Sequence, residues 1–72
     1  MTDTFPHIAI LGGGLLGGSL ALALAELERP PQVRLWARRE QTLAEAKRRG
    51  ITHVTHQLEE AIADASLVIL AV

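Results

Sequence analysis

The segment Ile8-Ala9-Ile10-Leu11-Gly12-Gly13-Gly14-Leu15-Leu16-Gly17-Gly18-Ser19 constrains this chain more than any other. A short apolar run breaks into G-x-G-x-x-G at Gly12, Gly14 and Gly17, then continues as a Leu/Ala stretch. Glycines at these offsets solve one geometric problem, holding a pyrophosphate against main-chain N–H groups. Gly12 permits a tight turn, and Gly14 lets the backbone approach the phosphates without an intervening side chain. Gly17 lets the helix opened by Leu15 and Leu16 pack closely on the preceding strand. The anion then lies at the positive end of that helix.

The flanking residues supply the context this motif needs. His7 to Leu11 reads as a strand buried on both faces, and Leu15 to Glu28 as a helix of strong formers with apolar side chains on most sides. A kinase phosphate loop would instead lie in an antiparallel hairpin, with another strand after the glycines. Ile8 to Ala25 is uncharged, near the minimum length of a membrane span, and contains the helix-packing pattern Gly14-x-x-x-Gly18. The consecutive Gly12 to Gly14 and the acidic flanks, Asp3, Glu26 and Glu28, oppose that reading. No basic region precedes the run as a signal peptide would require. A buried strand and a helix account for it, with no membrane partner.

With 72 residues the chain is at most one small domain. Its net charge of -1 gives no global bias towards nucleic acid or anionic lipid. The aromatic residues Phe5 and Trp36 provide no stacking platform, so nucleic acid is not an expected partner. The absence of cysteine excludes disulfides and thiolate metal sites and fits a cytoplasmic protein.

Beyond the first helix, Pro30-Pro31 forms a turn and Val33 to Ala37 a second strand. Glu40 to Arg49 reads as a second helix with Leu43 and Ala46 inward, Glu45 and Arg49 paired outside, and Gly50 at its stop. Ile51 to Thr55 gives a short third strand, Leu58 to Ala63 a short helix, and Leu67 to Val72 an apolar fourth strand. The alternation predicts an α/β Rossmann-like fold, β-α-β-α-β-α-β, whose parallel sheet has the order 3-2-1-4. The chain stops within or at the end of that fourth strand, whose open apolar edge is a liability. Residues 1–72 are therefore expected to be the N-terminal part of a dinucleotide-binding domain, incomplete and without a substrate domain. Completion of the core by association is the alternative.

The residues that separate NAD from NADP lie about 20 positions past the glycines, at the end of strand 2. That place reads Trp36-Ala37-Arg38-Arg39-Glu40. Ala37 stands where an NAD site carries an acid, and its small side chain leaves room for a further phosphate. Arg38 and Arg39 follow, and a guanidinium grips such a phosphate bidentately. Solvated arginines, or Glu40 as a displaced ribose acid, are the competing readings. The cofactor-binding candidates are Gly12, Gly14, Leu15, Leu16, Gly17, Ala37, Arg38 and Arg39, with NADP preferred over NAD.

Other candidates carry less. His53-x-x-His56 has a poor spacing for a metal, with no cysteine or carboxylate converging on it. His7 reads as a rim residue, and Glu59, Glu60 and Asp64 as a solvated face. Ser19 either reaches the pyrophosphate or satisfies backbone groups. No residue is assigned to catalysis or to a metal.

Gly12-Gly13-Gly14-Leu15-Leu16-Gly17-Gly18-Ser19-Leu20-Ala21 resembles the opening of prephenate/arogenate dehydrogenases, where the fingerprint is followed by Gly-Ser-Leu-Ala. Gly50-Ile51-Thr52, Leu58-Glu59-Glu60-Ala61 and Ala65 to Val72 are similar to the same family's later stretch. The resemblance runs from about His7 to the end. It implies hydride transfer to a nicotinamide with loss of carbon dioxide from prephenate or arogenate, in tyrosine synthesis. It also implies a homodimer for the full-length parent, with catalytic and substrate-binding residues beyond Val72. Two departures stand out: Ala37-Arg38 replaces the acid many members carry after strand 2, and Leu35-Trp36-Ala37-Arg38-Arg39 is similar to glycerol-3-phosphate dehydrogenases. The cofactor domain of another reductase (for glycerol phosphate, an imine or a hydroxy acid) and a non-catalytic dinucleotide-binding module remain open readings.

Overall fold

A computed structural model describes residues 6–12 and 14–71. Gly13 of the fingerprint and Val72, the expected end of the fourth strand, lie outside the described residues. Seven elements alternate along the chain: β1 (His7–Leu11), α1 (Leu15–Ala25), β2 (Gln32–Trp36), α2 (Glu40–Arg48), β3 (Val54–Thr55), α3 (Leu58–Ile62) and β4 (Leu67–Leu70). The four strands form one parallel sheet in the order β3-β2-β1-β4, the order the alternation predicts. Ile10 of β1 stands opposite Leu35 of β2 and Ile69 of β4.

Side chains alternate across a strand, so each strand divides its residues between two helical layers. Ile8, Ile10 and Leu35 face α1 and α2 and form the core with Ala21, Ala46 and Ile51, while Leu67 and Ile69 pack at its edge. Arg34, one residue before Leu35, points to the other face, where it is tied to α3. Ala9 of β1 and Ala61 of α3 are buried there, and their small side chains let the short helix lie close to the sheet. β1 is thus covered on both faces, as its unbroken apolar sequence requires.

Several boundaries differ from the sequence reading. α1 ends at Ala25 rather than Glu28. Its last amides tighten to three-residue spacing, Glu26 to Ala23 and Leu27 to Leu24, each at 3.2 Å. The chain must then turn back so that Gln32 can donate to the Pro6 carbonyl at 2.8 Å and enter β2. β3 shrinks to two residues because its pairing begins only where Leu35 meets Val54. Ala37 falls one residue past β2. Leu43 and Ala46 do face inward, and Gly50 does end α2, with φ +97°. Glu45, however, pairs with Arg48 instead of Arg49. Arg49 caps the helix, and its side chain leaves towards α1.

No helix among the described residues is long and apolar enough to cross a membrane. The apolar run that suggested one is divided between β1 and the eleven residues of α1.

Candidate functional site

All four strands point their C-terminal ends to one edge of the sheet, because a parallel sheet has no alternative. The ladder runs one residue beyond the strands on that edge. The Gly12 amide donates to the Trp36 carbonyl at 2.8 Å, Ala71 to Leu11 at 2.9 Å and Ala37 to Thr55 at 3.3 Å. These bonds anchor the start of the glycine turn against both neighbouring strands. Gly12 then takes φ +125°, a value L side chains rarely adopt, and the chain reverses into α1.

The glycines behave differently from one another. A Cβ at Gly17 would overlap the Gly12 carbonyl and lie 3.4 Å from Ile10 Cγ2, so α1 approaches β1 only because none is there. A Cβ at Gly14 would meet nothing within 4 Å, which leaves open space above the turn. Leu15 and Leu16 begin α1 with side chains 81% and 71% exposed, and no side chain caps the helix. The positive end of α1 therefore faces that open space.

The β2–α2 connection brings the second group of candidates to the same edge. Ala37 is buried, and its amide is committed to Thr55. Arg38 and Arg39 are exposed. Arg39 shares an open cleft of about 680 Å³ with Gly14 and Leu15, so the structure joins the glycine turn to Arg39 across one gap, while Arg38 does not line it. Glu40 begins α2 and provides the only acid of its first turn.

Other residues take structural roles. The Trp36 indole donates to the His56 carbonyl at 3.0 Å, which ties the end of β2 to the connection between β3 and α3. Thr55, which sequence reasoning passed over, is buried and accepts from the Gln57 amide at 3.1 Å, ordering the entry to α3. Its position two residues before a helix cap was the available signal. His7 lies at the opposite end of the sheet from the glycine turn. It packs beneath α3 with Ala61, Ala63 and Ala65, and its Nδ1 is buried without a partner. His53 and His56 are exposed, and among the described residues no three His, Cys, Asp or Glu side chains gather as a metal site would need.

A strand, a glycine turn, a helix and a basic loop on one sheet edge form a dinucleotide-binding architecture. Residues 7–72 match the family described as NADP oxidoreductase, coenzyme F420-dependent. The chain belongs to that family. The match covers every described strand and helix, and it makes the fold an NAD(P)-binding Rossmann module of oxidoreductase type. It does not single out the prephenate/arogenate dehydrogenases that the glycine segment resembles. No curated protein and no solved structure matches the chain.

Proposed function

We propose that this chain is the N-terminal cofactor-holding part of an oxidoreductase that uses NADP in preference to NAD. Gly12, Gly14 and Gly17 shape the turn, and the leading amides of α1 at Leu15 and Leu16 receive the pyrophosphate. Ala37, Arg38 and Arg39 surround the adenosine-side ribose and its phosphate. The residues present fit such a group. The space above Gly14 is open, no side chain caps α1, and the cleft between the turn and Arg39 is continuous. The observation that carries the cofactor preference is the end of β2, where a buried alanine is followed by two exposed arginines. A carboxylate there would receive ribose hydroxyls, whereas guanidiniums attract a phosphate.

The nicotinamide supplies the hydride chemistry when bound. The residues described here bind and orient its far end, with the low, glycine-lined turn setting how deeply the dinucleotide enters. For the reaction itself, Gly18-Ser19-Leu20-Ala21 favours oxidative decarboxylation of prephenate or arogenate by a cytoplasmic homodimer. A second reading, hydride exchange between NADP and coenzyme F420, is favoured by the family description over residues 7–72.

Calorimetry with NADP and NAD on the wild type and on Arg38→Ala tests the cofactor assignment. NADP should bind more tightly, and the substitution should remove about tenfold or more of that advantage. Equal binding of the two cofactors, or an advantage untouched in Arg38→Ala, refutes the assignment. Assaying the full-length protein with NADP against prephenate, arogenate and F420 then separates the two reactions.

A further inference from the structure

The glycine next to the fingerprint, Gly18, has a neighbour from the far end of another helix. A methyl group at Gly18 would lie 2.5 Å from one guanidinium nitrogen of Arg49 and 3.3 Å from its central carbon. Arg49 caps the C-terminus of α2, where a cation is favoured beside the helix's own carbonyls. Lys47 and Arg48 occupy the last turn of that helix. Arg49 instead crosses to the first turns of α1, towards that helix's positive end, where a cation is disfavoured.

Its charge is not compensated there. The cleft beside it is lined by Gly14 and Leu15 on one side and by Arg39, Thr42, Arg48 and Arg49 on the other. The carboxylate of Glu45, which also lines it, is already joined to Arg48. Among the described residues neither Arg39 nor Arg49 has a carboxylate partner. Two uncompensated guanidiniums, one from each end of α2, thus border a single open cleft next to the glycine turn.

We propose that Arg49 is a specificity-determining residue for the cofactor, adding positive charge from the C-terminal end of α2 for a phosphomonoester that Arg39 holds from the N-terminal end of the same helix. Gly18 is the seat that admits its guanidinium. This rests on the assignment of NADP to the site and extends its recognition from the β2–α2 loop to the end of α2. The ligand chemistry is a ribose-linked phosphate, since NAD lacks that group and gains nothing from the second guanidinium.

The test measures NADP and NAD affinities for the full-length wild-type protein and for Arg38→Ala, Arg49→Gln, Arg49→Lys and Gly18→Ala. Arg49→Gln should reduce the NADP-to-NAD affinity ratio roughly fivefold and leave NAD binding unchanged. Arg49→Lys should keep most of the ratio because it keeps the charge. Gly18→Ala displaces the guanidinium while favouring helix, so it should lower the ratio without loss of thermal stability. If the wild type shows no preference for NADP, the cofactor assignment fails and this inference falls with it. If Arg38→Ala reduces the preference while Arg49→Gln and Gly18→Ala leave it intact, only the role of Arg49 is refuted. A loss of affinity for both cofactors alike in Arg49→Gln also refutes it, since interhelical packing alone would produce that result.

Discussion

Gly50 closes α2 through two bonds at once. Its own amide donates to the Lys47 carbonyl and that of Ile51 to Ala46, each at 3.0 Å, with Ile51 buried as the accompanying apolar contact. This pattern needs the positive φ that only a residue without Cβ adopts cheaply. Gly50→Ala should therefore destabilise the protein by about 1 kcal/mol, read as a lower denaturation midpoint at unchanged slope. A midpoint equal to that of the wild type would mean the turn relaxes into another conformation. The stop at Gly50 and the inward Leu43 and Ala46 were legible in the sequence because each is set by local spacing. The direction of Arg49 was not, because it depends on an absent side chain at Gly18, on a different helix.

At the scale of elements, α3 shows how a five-residue helix is held in place. So short a helix has little stability of its own in water. Arg34 of β2 donates through one guanidinium nitrogen to the Ala63 carbonyl at 2.6 Å and the Glu60 carbonyl at 3.2 Å, satisfying the C-terminal end that the helix leaves open. Removing these bonds with Arg34→Met should cost roughly 1 kcal/mol. Hydrogen exchange should accelerate first at the α3 amides, and uniform acceleration across the sheet would contradict this account. The same strand carries Leu35 in the core on its other face, so β2 is a structural strut before it delivers Ala37 and Arg38 to the site. Arg34 looked like an ordinary strand residue in sequence. Its role requires a partner 26 to 29 positions away.

For the whole molecule, cofactor binding and stability are linked. β4 packs Leu67 and Ile69 inward, but its other face leaves Val68 44% and Leu70 72% exposed. α3 reaches across β1, β2 and β3 on that face. A small core with so much apolar surface uncovered is marginal, and a ligand that bridges the glycine turn and the β2–α2 loop stabilises it by mass action. At a hundredfold excess over its dissociation constant, NADP should add about 2.7 kcal/mol. In a domain of this size that raises the melting temperature by roughly 11–22 °C. NAD at the same concentration should raise it less, and an equal shift from both would count against the arginine cleft.

Sequence by itself determined the order of the elements, the parallel sheet and its 3-2-1-4 arrangement. Each follows from short-range signals: apolar runs, proline and glycine stops, and the handedness of crossovers. It also determined the glycine turn, since the spacing of Gly12, Gly14 and Gly17 encodes its own geometry. The folded structure decided which groups the charged side chains meet. Arg34 under α3, Glu45 on Arg48 and Arg49 at Gly18 are contacts of flexible side chains. Two of the three cross between elements, and their partners exist only once the sheet has brought those elements side by side.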